Sequence, residues 1–153
     1  MNLKLKFAFV CYMSNVIGLA LMGCIYVFGN EFLPFHSDVI QTSWEDVNAS
    51  AQILYIGMMR TEGAGLLSSS LAIAILLFIP FMRGQAWSYW AMTAIGIVEH
   101  LPSLIATYHV STITEASPPW PALLLGVVLL IVGLLLSISG NKTQQEPSSE
   151  STS

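Results

Sequence analysis

Charge is the scarcest property of this sequence. Of its 153 residues, five are Lys or Arg and nine are Asp or Glu, so charged side chains make up 9% of the chain, against about 25% in an ordinary soluble domain. With 54% hydrophobic residues and a mean hydropathy of +0.68, there is too little polar surface to wrap a water-soluble core. The five basic residues are scattered and build no basic patch, which excludes nucleic acid as a partner. Cysteine is scarce as well: Cys11 and Cys24 share one apolar run, which excludes a disulfide framework and a CxxC pair. The histidines and acidic residues show no ligand spacing such as HExxH, so no metal site is expected. The absence of an internal repeat argues against a channel or a two-halved transporter.

What the chain has instead is long apolar runs. A helix needs roughly 20 apolar residues to cross about 30 Å of hydrocarbon, and four such runs occupy residues 7–29, 63–82, 86–108 and 120–139. The expected fold is all-α, a polytopic membrane protein in which residues 1–140 make one four-helix transmembrane bundle with up-down topology. The bilayer is then its first partner, and residues 141–153 form a polar, disordered tail. Lys4, Lys6, Arg83 and Lys142 fall on one side of this topology and only Arg60 on the other, so both termini of the multi-pass chain are expected in the cytoplasm. Trp87, Tyr89 and Trp90 after "RGQ", and Trp120 at the opposite boundary, supply interfacial anchors. The first run exceeds a signal-peptide h-region and lacks an A-x-A site, so it reads as a retained anchor. "LMGC" resembles a lipoprotein cleavage box ending at Cys24, but the apolar "IYVFG" after it argues against acylation.

Between the first two runs, "SWEDV" has the form of a helix start, with Ser43 as cap and acidic residues in the first turn. A helix from there through Arg60 extends span two N-terminally to about residue 44. Asn48, Ala49 and Ser50 form a glycosylation sequon. Pro80 reads as a helix-end proline, whereas Pro102 falls inside span three, where it removes one backbone bond.

Two ionisable residues stand out in the third run, Glu99 and His100 of "AIGIVEHLPSLIATYH". Counted outward from the Arg83-Gly84-Gln85 turn as antiparallel partners, residues of spans two and three whose numbers sum to about 168 share a level. That places Glu99 and His100 opposite Ser68 and Ser69, and Tyr108 opposite Arg60. Thr93, Gly96, His100, Ser103 and Thr107 recur at helical spacing, and Gly63, Ala64 and Gly65 give span two a small-residue face. These features predict two helices packed face to face around a polar layer of Glu99, His100, Ser69 and Ser103. Arg60, Glu62 and Tyr108 lie above it, Arg60 within reach of Glu99 and Glu62 within reach of His36 or His109. Asn15 in the first run reads as a separate packing contact.

Ionisable groups inside spans are costly and generally mark function. Three activities fit. The first is binding of a hydrophobic small molecule, lipid-like or quinone-like, with Glu99, His100, Arg60, Glu62, Ser69, Ser103 and Tyr108 as its polar anchors and Met58 and Met59 nearby. The second is an enzyme acting on a sterol-like substrate with Glu99 and His100 as acid and base. The third is a structural or assembly subunit, in which the polar layer is a clamp, His100 bonding Ser69 with Glu99 neutral or paired with Arg60, and Ala122, Gly126, Gly133 and Ser137 pack a partner, a second copy or a larger membrane complex.

"GMMRTEGAGLLSSSLAIAILL", followed by "RGQAWSYWAMTAIG", resembles the DoxX-like group of small four-helix membrane proteins. There an arginine at the start of span two precedes a small-residue pair and an apolar run, and a short basic turn follows; Arg60, Gly63, Gly65 and Arg83 match. The resemblance covers spans two and three. It implies a four-helix membrane fold and, since some members are associated with quinone-linked respiratory complexes or redox stress, a quinone ligand. Glu99-His100-Leu101-Pro102 departs from that pattern.

Overall fold

The computed structural model describes residues 2–145, and among these every regular element is helical. Helix α1 covers Leu3–Phe28, α2 Pro34–Ile40, α3 Ala49–Leu76, α4 Trp87–Ile113 and α5 Trp120–Gln145; a 3-10 turn occupies Trp44–Asp46 and a π turn, Leu77–Phe81, prolongs α3. Three helical stretches are long and apolar enough to cross a membrane: Leu3–Phe28, Ala49–Phe81 and Trp120–Asn141. The chain is therefore a multi-pass membrane protein. Helix α4 is as long, at 27 residues, but Glu99, His100, Pro102, Ser103 and Thr107 dilute its apolar content.

Local chemistry sets the helix ends. Asn2 caps α1 by accepting from the Leu5 N–H at 3.0 Å, and its Nδ2 donates to the Gly140 carbonyl at 2.9 Å, tying the start of α1 to α5. Asn48 caps α3 by accepting from the Ala51 N–H at 3.0 Å. The expected helix start at Ser43 is thereby overturned. Ser43 donates to the Asp46 carboxylate at 2.9 Å within the 3-10 turn, Val47 is extended, and the long helix begins at Ala49. The β-branched Val47 favours that extended backbone, which ends the first turn and leaves Asn48 free to cap.

From Ala49 to Phe81 the helix has 33 residues; at roughly 1.5 Å per residue that is about 50 Å, more than the hydrocarbon thickness of about 30 Å. Its N-terminal end therefore tilts or projects. At the other end Pro80 lies inside the π turn, where the Gln85 N–H donates to the Pro80 carbonyl at 2.9 Å. Gly84 then reverses the chain at φ +74°, a conformation glycine adopts without steric cost. Helix α4 runs unbroken through Pro102. Helix α5 continues past the expected boundary at residue 141, and residues 146–153, the rest of the tail expected to be disordered, lie outside the described residues.

Small residues decide which helices meet. α1 packs against both α3 and α5, and α4 packs against α5 and more lightly against α3. A methyl group on Gly63 would lie 2.9 Å from the Gly23 carbonyl oxygen, and one on Gly23 would lie 3.0 Å from that of Gly63, so these two backbones touch. Ser70 donates to the Val16 carbonyl at 2.9 Å in the same seam. The small-residue face of span two was expected against span three; Gly63 instead packs on α1, because only a glycine pair allows this approach.

On α5, Gly133 lies against the Tyr12 ring and Gly126 against the His100 ring, while Leu130 fills the space left by Gly96 of α4. Tyr12, Ile73, Leu77, Met92 and Leu130 are fully enclosed at the centre. A second cluster closes the far end, where Phe32 meets Trp44 edge-on at 4.8 Å and Tyr55 at 5.6 Å beside Tyr26 and Met59. Outward-facing Phe28, Ile53, Val98 and Leu135 are exposed, as side chains in contact with lipid would be.

Candidate functional site

The antiparallel count from the Arg83-Gly84-Gln85 turn meets a direct contact: Ser69 donates to the Glu99 carboxylate at 2.7 Å. Glu99 is half-buried, and Ser103 donates to its backbone carbonyl at 3.3 Å. This bond joins α3 to α4. Ser68 is exposed and Ser70 turns to α1, so consecutive serines serve three different surroundings.

His100 does not join that layer. It is 6% exposed, and its Nδ1 lies 2.9 Å from the Gly96 carbonyl one turn back. A carbonyl cannot donate, so Nδ1 carries the proton. The ring edge rests on Gly126 of α5: a methyl there would come within 2.4 Å of both Cδ2 and Nε2. Neighbours on a helix point about 100° apart, and here that separation sends Glu99 to α3 and His100 to the opposite side. Thr93 and Gly96 share the His100 side, with Thr93 Oγ1 3.0 Å from the Tyr12 hydroxyl on α1 and Gly96 beneath Leu130. The expectation of one polar layer between spans two and three is corrected accordingly. The adjacent acid and base that an enzyme would need do not converge.

The remaining expected site residues disperse. Tyr108 is exposed and stands edge-on to Trp120 at 5.5 Å, linking α4 to α5 instead of facing Arg60. Arg60 is exposed on a surface groove of about 480 Å³ with Trp44, Gln52 and Ile56; it makes no ion pair with Glu99 among the described residues. Glu62 is exposed. It holds neither His36 nor His109. His36 instead accepts from the Leu33 N–H at 3.1 Å through Nδ1 and sits among Tyr26, Phe32 and Phe35, where burial pushes its imidazole below the ordinary value.

Two residues read separately in the sequence belong beside His100. Asn15 of α1 is 3% exposed. Its Nδ2 donates to the Cys11 carbonyl at 3.1 Å, while its Oδ1 is enclosed with no partner. The same methyl placed on Gly126 would lie 3.3 Å from this Oδ1, so Asn15 Oδ1 and His100 Nε2 flank one point from two helices, with α5 as the floor. The available signals were a lone Asn in the first run and a Gly inside the α5 stripe.

A cavity of about 140 Å³ adjoins His100, lined otherwise by Gly18, Leu19, Met22, Pro119, Ala122 and Leu123. His100 is its polar wall. Gly18 and Ala122 are exposed, and a methyl on Gly18 would meet nothing within 4 Å, so the cavity opens between α1 and α5 to the outside of the bundle. Nε2 makes no hydrogen bond and is not among the fully enclosed polar atoms. The arrangement offers a hydrogen-bonding imidazole to an apolar guest arriving from the side.

No protein-family model, curated protein or solved structure matches the chain.

Proposed function

We propose that the chain is a four-helix, up-and-down transmembrane bundle, with both termini cytoplasmic, that binds a hydrophobic small molecule in the cavity beside His100. Contacts that run in opposite order along neighbouring helices support the topology: Asn2 with Gly140 and Tyr12 with Gly133, Tyr108 with Trp120 and Gly96 with Leu130. The distribution of Lys4, Lys6, Arg83 and Lys142 supports the orientation.

The observation that carries the ligand is the apolar, laterally open cavity with one unpartnered imidazole nitrogen on its wall. Apolar pockets with a few convergent polar groups are the usual form of such sites. Its volume matches a single ring, since an apolar cavity of about 150 Å³ holds one benzene. The site thus receives the head of a larger lipid-like molecule whose tail stays in the bilayer. The DoxX-like resemblance makes a quinone one member of that class.

The test is native mass spectrometry of protein purified in mild detergent. A hydrophobic molecule should accompany the wild type and Glu99→Gln and be absent from folded Gly18→Leu, whose side chain fills the cavity. An unchanged small-molecule profile in Gly18→Leu would falsify the proposal. Glu99 is proposed as the interhelical clamp, on the strength of its 2.7 Å bond to Ser69.

A further inference from the structure

We infer that the molecule held beside His100 is recognised through a hydroxyl group that it donates, as an alcohol or phenol does, and not through a carbonyl or ether oxygen. The inference rests on the reading of this cavity as a ligand site. With the Nδ1 proton committed to the Gly96 carbonyl, a neutral imidazole presents Nε2 as a bare acceptor. Asn15 neighbours this ring but does not line the cavity. Its amide orientation follows from the Nδ2 bond to the Cys11 carbonyl, because the flipped amide would set oxygen against oxygen. Its Oδ1 is then left buried and unpartnered. Both atoms border the point above Gly126.

A bare acceptor on the wall of an apolar cavity selects for a donor. A hydroxyl supplies the missing proton, whereas a quinone carbonyl or an ether would set a second acceptor against Nε2 and leave its lone pair unmet. Leu19, Met22, Pro119 and Leu123 provide the apolar walls for a ring-sized body. The opening at Gly18 and Ala122 lets a chain pass between α1 and α5 into lipid.

The experiment uses the full chain in detergent and two probes of the same ring and tail, 4-nonylphenol and its methyl ether, 4-nonylanisole. Thermal unfolding is followed against probe concentration. The phenol is expected to raise Tm at concentrations about tenfold lower than the ether, the difference set by one buried hydrogen bond. Gly18→Leu should abolish both shifts. His100→Phe keeps a ring over Gly126 but removes Nε2, and should make the two probes equivalent. Should that variant not fold, the wild-type comparison and Gly18→Leu still decide. Equal shifts from both probes in the wild type overturn the hydroxyl inference and leave the cavity reading standing; an imidazolium donating to Asn15 would give that result. No shift from either probe overturns both.

Discussion

Glu99 and His100 are adjacent in the chain yet belong to different parts of the bundle. Glu99, half-buried, meets a single serine on α3 across the more lightly packed α3–α4 seam. His100, buried, lies where α1, α4 and α5 come together over a glycine, with a cavity on its flank. One side closes its polar group with a hydrogen bond; the other leaves the Nε2 acceptor unmet beside open space. A polar residue whose needs are satisfied within the protein explains itself as a clamp. One left with an open valence beside a cavity asks for a ligand.

The contrast can be broken most severely at Gly126. Gly126→Val places carbon within the His100 ring and should destabilise the protein by about 3 kcal/mol, at the upper end for overpacking, read as a large fall in Tm or loss of monodisperse protein. Gly65→Ala, where a methyl meets nothing within 4 Å, should leave Tm unchanged or slightly raised. Equal losses at both positions would show that the α1–α4–α5 junction is not as tight as described. Gly63→Ala comes next, at about 2 kcal/mol, since its methyl would lie 2.8 Å from the Tyr26 Cβ. Gly23→Ala presses on the same seam from α1, 3.0 Å from the Gly63 carbonyl oxygen, and should cost a similar amount; tolerance of both changes would sink the close approach of the two backbones.

Ser69→Ala should cost about 1 kcal/mol, and Glu99→Gln less, because the amide oxygen still accepts from Ser69. A double-mutant cycle with Ser69→Ala and Glu99→Ala measures the clamp directly. A coupling energy near zero would remove it, and altered ligand retention in Ser69→Ala would merge the two sides that the structure separates.

The smallest expected effect is at His36 in the aromatic cap. Its imidazole is pushed below the ordinary 6.5 by burial, so the folded cap prefers it neutral. Above the ordinary value there is no cost; as pH falls from there toward the lower folded value, the unfolded cap takes up the proton more readily and the fold weakens. Trp44 fluorescence over that range should report loosening in the wild type and little in His36→Phe. An identical titration in both variants would assign the change to another group.

The outline of the fold was legible because hydropathy over 20-residue runs is a strong signal. The shared level of Ser69 with Glu99 and His100 could be counted, since the tight Arg83-Gly84-Gln85 turn fixes the register of α3 on α4, but the clamp was expected from His100 and is made by Glu99. His100 could not be placed this way. Which side of α4 meets α1 and α5 depends on helices far away in the chain, and no turn sets that register. Asn15, Gly126 and His100 carry no shared spacing, so only the packed bundle brings them together. The extension of α3 to residue 44 failed for a local reason: two residues able to cap, Ser43 and Asn48, lie five positions apart, and with Val47 extended it is Asn48 that accepts from a helix N–H while Ser43 bonds the Asp46 carboxylate.

The burial of Gly126, Gly133 and Ser137 inside the chain changes how genetic results on α5 are to be interpreted. Small residues spaced along a membrane helix are commonly taken as the signature of a dimer face, and a screen that returned loss of function at these positions would be filed under assembly. Here the same hits diagnose a failing interior. Crosslinking between copies therefore has to be sought from the other faces of the helix, at positions such as Leu125 or Leu135, whose side chains point outward.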